Sequence, residues 1–196
     1  MVRVLARFIY VDAMKCMALT MQTVDQSILS GEVSYDGKFL TESECLYFAG
    51  RNVTGLKADE IRQNFSKGDR CYAFIKEQEI ASYGWYSTST TELPNGHMLS
   101  FDRSYVYMYG GYTRGAYRGQ GLHGKGMASA LKFYHERGYK GLVSMVDSRN
   151  YESLRSIYRV GYRIFGRIYV FQIRNKCFVW RSPGSRKYGF VVTKPE

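Results

Sequence analysis

No stretch of the sequence offers the ~20 consecutive apolar residues that a bilayer-spanning helix needs. The apolar run from Val4 to Val11 is interrupted by Arg7, and no small-residue cleavage site follows it, which argues against a signal peptide. Of the cysteines Cys16, Cys45, Cys71 and Cys177, no two form a CxxC pair. That spacing suggests neither a disulfide framework nor a metal site, and buried thiols in a reducing, cytoplasmic compartment are the expectation. Internal repeats, low-complexity tracts and heptad runs are also missing. Acidic side chains are scarce in one half only: residues 1–100 carry 10 Lys+Arg against 12 Asp+Glu, and residues 101–196 carry 18 against 5. The whole net charge of +11 therefore belongs to the second half, where its field concentrates anions.

What is present is a chain of 196 residues, 45% hydrophobic, long enough to bury a real core, and it reads as one domain over 1–196. Met1 to Val11 reads as a strand. From Asp12, a candidate N-cap, Met14, Met17, Ala18 and Met21 recur at helical spacing. Thr41-Glu42-Ser43-Glu44 is a capping box ahead of Leu46, Tyr47 and Phe48, and a further helix spans about Lys57 to Ser66, ending at Gly68. Cys71 to Ile75 and Ile80 to Tyr86 form a hairpin across Glu77-Gln78-Glu79. Thr88 to Ser100, with Pro94-Asn95-Gly96, reads as loop. A strand from Tyr105 to Tyr112 enters a glycine-rich turn, and the helix beyond it places Met127, Ala130, Leu131 and Tyr134 on one face, stopping at Gly138. Gly141 to Val146 is a short buried strand. Asn150 then caps a helix whose Leu154, Ile157 and Tyr158 are expected to face inward, up to Gly161. Strands near Arg163 to Ile173, Cys177 to Arg181 and Tyr188 to Thr193 close the chain.

The turn carries the chemistry. Gly119, Gly121, Gly124 and Gly126 crowd a strand-to-helix junction, where backbone must come close to something and the first helical amides point at it. With the helix dipole they favour an anion, most often phosphate, and Arg118 adds a fixed fork of donors. A GxxxxGK[ST] cradle is excluded, because Gly126 follows Lys125. The spacing of Gly119, Gly121 and Gly124 also fits GxGxxG, and Asp147 lies at the next strand end as a dinucleotide site would ask. That fingerprint, however, belongs to the first strand and helix of an alternating parallel fold, whereas more than a hundred residues precede it here.

Two motifs together resemble the GCN5-related N-acetyltransferase superfamily. Arg118-Gly119-Gln120-Gly121-Leu122 follows its pyrophosphate signature Gln/Arg-x-x-Gly-x-Gly/Ala, with His123 at the last place and Gly124 directly after. Asn150-x-x-Ser153, followed by Gly161-Tyr162, is similar to the family's second cofactor segment. The likeness runs from about Arg70 to Phe171. It implies a mixed α/β (α+β) fold whose central, mostly antiparallel twisted sheet is splayed at the cofactor site and flanked by helices. It also implies acetyl-coenzyme A as cosubstrate, with 70–171 as the cofactor core, 1–69 on the acceptor side and 172–196 as C-terminal strands. Gly111, Tyr112 and Thr113 would border the acyl arm, with a backbone N–H of Gly111 or Tyr112 as oxyanion donor, while Arg118 to Gly124, Asn150 and Ser153 would hold the rest. The place of the family's proton-donating tyrosine holds Ile157, which makes its neighbour Tyr158 the candidate acid. No carboxylate lies within Tyr105 to Thr113, so Asp102 and His97 are the nearest candidate bases.

The implied activity is transfer of an acetyl group to a primary amine of a small molecule, an amino sugar or a peptide. The alternative is a non-catalytic module of the same fold that grips nucleic acid or another polyanion, since Tyr and Phe are interleaved with the basic charge. A homodimer through the C-terminal strands is compatible with either. No membrane partner is expected.

Overall fold

The computed structural model describes residues 9–31, 34–51, 55–93, 96–173 and 176–193. In chain order these form β1 (Ile9–Leu19), α1 (Gln26–Leu29), β2 (Asp36–Leu40), α2 (Glu42–Ala49), α3 (Ala58–Ser66), β3 (Arg70–Lys76), β4 (Glu79–Ser87), β5 (Thr91–Glu92) and β6 (Met98–Ser100). They continue with β7 (Tyr105–Thr113), α4 (Leu122–His135), β8 (Gly141–Asp147), α5 (Tyr151–Val160), β9 (Arg163–Ile173), β10 (Lys176–Arg181), α6 (Pro183–Lys187) and β11 (Val191–Thr193). One sheet has eight strands in the order β10-β9-β1-β8-β7-β4-β3-β2, and a second has the order β11-β6-β5. Within the large sheet every described pairing is antiparallel except β7 with β8. The fold is therefore mixed α/β with a mostly antiparallel sheet, as expected, and not a doubly wound one.

The segment from Asp12 is a strand, where methionine spacing suggested a helix. β1 lies between β8 and β9 and is covered on both faces: Met17 and Leu19 pack under the helices, and Cys16 and Ala18 pack against the small sheet. A strand buried on both faces shows no polar alternation, so its run of Met and Ala carried no period-2 signal to compete with the helical one. Residues 1–8 of the expected first strand, and Pro94 and Asn95 of the expected turn, lie outside the described residues. The segment read as loop holds β5 and β6, two and three residues long and too short for a pattern. Between the last two expected strands Ser182 caps the short helix α6, with Pro183 in its first turn.

Elsewhere local chemistry is met. Thr41 and Glu44 form the reciprocal capping box of α2, a device worth about 1 kcal/mol. Glu77 and Gln78 both have positive φ, the turn that matches strand twist in a two-residue hairpin. Met127, Ala130, Leu131 and Tyr134 of α4 are buried with Leu154, Ile157 and Val160 of α5 in one core. Gly138 and Gly161 end these helices near φ values of +87° and +109°. Among the described residues no helix is long and apolar enough to cross a membrane.

Candidate functional site

β7 and β8 are neighbours for only three residue pairs, Tyr105 with Gly141 to Tyr107 with Val143, and then part. The cause lies on the other edge of β7. Opposite β4 the register shifts between Tyr83 and Trp85, and Gly110 takes φ +57°, so Gly110-Gly111 forms a bulge that bends β7 away from β8. At the fork, Ser144 Oγ donates to the Met108 carbonyl at 3.0 Å, a side-chain bond in place of the next ladder step. Beyond it the gap opens into a cleft of about 860 Å³, walled by Tyr107 to Gly111 on one side and Ser144 to Asp147 on the other. Asn150, Ser153 and Ile157 of the α5 segment also line it.

The glycine turn adjoins this cleft. Gly119 and Gly121 have φ of +81° and +72°, and a Cβ at either would meet nothing within 4 Å, so both face open space. Lys125 N donates to the Gly121 carbonyl at 3.0 Å as the first bond of α4, leaving the amides of Leu122, His123 and Gly124 ahead of the ladder. The first turn of α4 carries no acidic side chain, and exposed Arg118 bonds the Thr113 carbonyl through Nε at 3.2 Å. Open amides at a helix start with an anchored guanidinium beside them are an arrangement that suits an anion. Gln120 accepts from Tyr35 OH at 2.5 Å, which ties the turn to the segment before β2. Leu122 is buried with Phe74 and Ala81, so its side chain anchors the helix and only its amide faces out. Gly124 serves packing: a Cβ there would meet Val160 Cγ2 of α5 at 2.6 Å. Tyr112 and Thr113 are held to β4 by Ser82, whose Oγ donates to the Tyr112 carbonyl at 3.0 Å and lies 2.9 Å from Thr113 Oγ1. Asn150 Oδ1 accepts from Ser153 N at 3.1 Å, capping α5 at the cleft's edge.

His123 fills the place that a small residue would leave open. Its imidazole Nε2 abuts the Cα of Gly111, and a Cβ on Gly111 would collide with it. Nδ1 lies 3.3 Å from Ser156 Oγ, while Nε2 is buried without a hydrogen-bond partner. The space beside Gly111 is thus taken by this ring. Burial holds its pKa down at about 4, from a usual 6.5. The sign follows directly: below pH 6.5 the unfolded chain takes up a proton that the folded chain refuses, so stability is complete above 6.5 and declines toward pH 4. Wild type should lose up to about 3 kcal/mol more than His123→Gln across that window. Thermal unfolding of both chains at stepped pH measures it, and parallel curves would contradict the assignment.

The candidate catalytic side chains are not brought together. Tyr158 is 41% exposed on the outer side of α5, with Lys15 Nζ 5.8 Å above its ring. Leu154, Ile157 and Val160 take the inner face, and one residue further turns the side chain about 100° away. Tyr158 therefore neither faces inward nor reaches the cleft, which Ile157 lines instead. Asp102 precedes β7, at the opposite end of that strand from the bulge. It accepts from Ser104 N at 2.9 Å and Ser104 Oγ at 2.8 Å, bonds that lower its pKa and spend it on closing a turn. Of the three, only His97 lines the cleft. Asp147 lines it too, but is paired with Arg149 at 2.8 Å, which lowers its pKa.

Glu60, Gln63, Asn64 and Lys67, on α3 and just beyond it, form a wall that sequence reasoning missed. No local signal marks them, because α3 reaches the cleft only through tertiary packing. Tyr109, itself on the cleft, donates through its OH to buried Asp69 at 2.7 Å, and burial, then this bond, push the phenol's pKa up, so it stays a donor. Among the described residues no cluster of three or more His, Cys, Asp or Glu could hold a metal ion. Cys16, Cys45 and Cys71 are buried free thiols, and the side chain of Cys177 lies outside the described residues.

No family model matches the sequence, and no curated protein matches it either. Similarity is found in solved structures. An acetyltransferase of the GNAT family from Colwellia psychrerythraea superposes with a TM-score of 0.58 at 13% identity, covering 85% of this chain and 57% of that one. A GCN5-related N-acetyltransferase-like protein from Streptococcus suis gives 0.52 at 16% identity, over 88% of this chain and 65% of that one. A GCN5-related N-acetyltransferase from Kribbella flavida gives 0.51 at 10% identity, over 88% and 63%. This chain thus spans 57 to 65% of the length of these relatives, and the likeness is one of fold.

Proposed function

From the fold it shares with GCN5-related N-acetyltransferases, we propose that the protein moves an acetyl group from acetyl-coenzyme A to a primary amine of a small molecule, an amino sugar or a peptide. The observation that carries this reading is the bulge-driven fork between β7 and β8, opening beside the first turn of α4. The cradle suits a diphosphate: glycines facing open space, amides ahead of the helical ladder, no carboxylate in the helix's first turn, and Arg118 alongside.

In this reading residues 70–171 form the cofactor part of one domain, α3 and the rest of 1–69 face the acceptor, and 172–196 complete the sheets. Arg118 and the amides of Gly119, Gln120, Gly121, Leu122, His123 and Gly124 hold the pyrophosphate. Asn150 and Ser153 border the arm, as do Gly111, Tyr112 and Thr113. Bound there, acetyl-coenzyme A supplies a thioester carbonyl for an amine to attack. The Gly111 or Tyr112 N–H donates to the carbonyl oxygen as charge grows on it, and His97 accepts the proton that the amine sheds. With Ile157 facing the cleft, the departing thiolate takes its proton from water. Holding amine and thioester in line supplies several kcal/mol of the acceleration.

Mass-spectrometric assay of an amine panel with acetyl-coenzyme A tests the reaction. Tyr158→Phe should retain wild-type turnover, and His97→Gln should shift the limb of the rate that rises with pH. A Tyr158→Phe loss of about 100-fold would restore a proton-donor role to that side chain. Coenzyme A binding without acetylation of any amine would favour the non-catalytic module.

A further inference from the structure

Among the described residues the helical cover of the large sheet stops at β1, and no described helix covers that side of the strands beyond it. Ile168, Val170 and Val179 point into the core against the small sheet, so the alternate residues of β9 and β10 point the other way. There Trp180 stands opposite Tyr169, and Phe178 opposite Phe171. Tyr169 and Phe171 lie parallel, 6.3 Å apart at 18°, and Tyr169 and Trp180 are 5.4 Å apart. Phe178 and Trp180 are 54% and 51% exposed, a large apolar area for a surface.

Cations frame the rings. Lys15 stands opposite Arg167 on the neighbouring strand pair, and its ammonium lies over the exposed ring of Tyr158. Arg163 and Arg167 are exposed. Arg167 shares with Lys15 the face of the rings, whereas Arg163, opposite Ala18, and Arg181, which donates to the Phe190 carbonyl, point to the other face. A second copy of this chain, seated across a two-fold axis, would set this patch against itself and bring like charges together. A partner that offers both anionic groups and flat unpaired rings meets both halves of the surface. In a duplex those ring faces are stacked away, whereas a single strand presents them.

We propose that the outer face of β9 and β10, with Lys15 beside it, binds single-stranded nucleic acid, the four rings stacking on bases and the cations tracking the phosphates. The surface lies outside the cleft, and the inference does not rest on acyl transfer.

The probe is a labelled twelve-residue oligothymidylate, read by anisotropy and by tryptophan emission. Of the two tryptophans Trp85 is buried, at 5% exposure, so quenching reports Trp180. The expected result is binding with quenching, weakened by salt, and weaker for a duplex of the same length. Trp180→Ala and Phe178→Ala should each weaken it about tenfold or more, the scale of one lost stack. Arg167→Gln should reduce the salt slope by about one. Three results would each overturn the proposal: no quenching at low salt; binding that survives Trp180→Ala unchanged in a chain of unaltered Tm; or concentration-dependent dimerisation that Trp180→Ala abolishes, with no affinity for the oligonucleotide.

Discussion

Gly121→Val should lower affinity for coenzyme A about 100-fold or more. Gly121 is the N-cap of α4 at φ +72°, ψ +11°, a left-handed geometry that costs an L-residue roughly 1–2 kcal/mol and a β-branched one more. Valine relieves that strain by rotating φ to negative values, which swings the Leu122 and His123 amides off their common target. Two charge-assisted hydrogen bonds lost at about 1.5 kcal/mol each correspond to about two decades of affinity. The core should survive, because a Cβ at this position meets no neighbour within 4 Å. Calorimetric titration alongside a melting curve checks both statements. Unchanged affinity in a folded variant would remove the pyrophosphate from this turn.

A larger effect on stability is expected at Gly161, which ends α5 at φ +109°. A Cβ there would run into the Thr23 carbonyl oxygen and lie 3.0 Å from the Val24 Cα, both backbone atoms that cannot turn aside. The contact is fixed from both sides, since Asp25 N donates to the Val160 carbonyl at 2.8 Å and Tyr162 is fully buried. Gly161→Val therefore adds a steric clash to backbone strain, and a loss of about 3–5 kcal/mol is expected. For a chain of this length that lowers Tm by about 10 °C, which scanning calorimetry resolves. A midpoint within 2 °C of wild type would contradict it.

The backbone turns at both glycines were legible in the sequence because each is decided within a few residues. Arg118 to Gly124, the Thr41 capping box and the Asn150 and Gly161 helix ends are local devices, and they sit where local chemistry puts them. Tyr158 went astray because Leu154, Ile157 and Tyr158 are all large and apolar enough to face a core, and only packing against α4 picks the face. Asp102 was chosen for nearness along the chain, which a strand converts into distance, since the residues preceding β7 and those following it lie at opposite ends. The α3 wall was beyond reach for the converse reason: Glu60 and Lys67 come to line the same cleft as Gly111 only through the fold.

The central place of β1 sets an order of events during synthesis. Cys16 pairs with Met145 on one side and Gly166 on the other, so β1 must wait for strands that follow it by more than a hundred residues before either of its edges is closed. Until then the apolar run from Cys16 to Leu19 is exposed with two free edges, the state in which strands join the wrong partner. Loop closures this long slow folding. Refolding should accordingly be slow and concentration-sensitive, while β3 and β4, joined by a two-residue turn, form early and on their own.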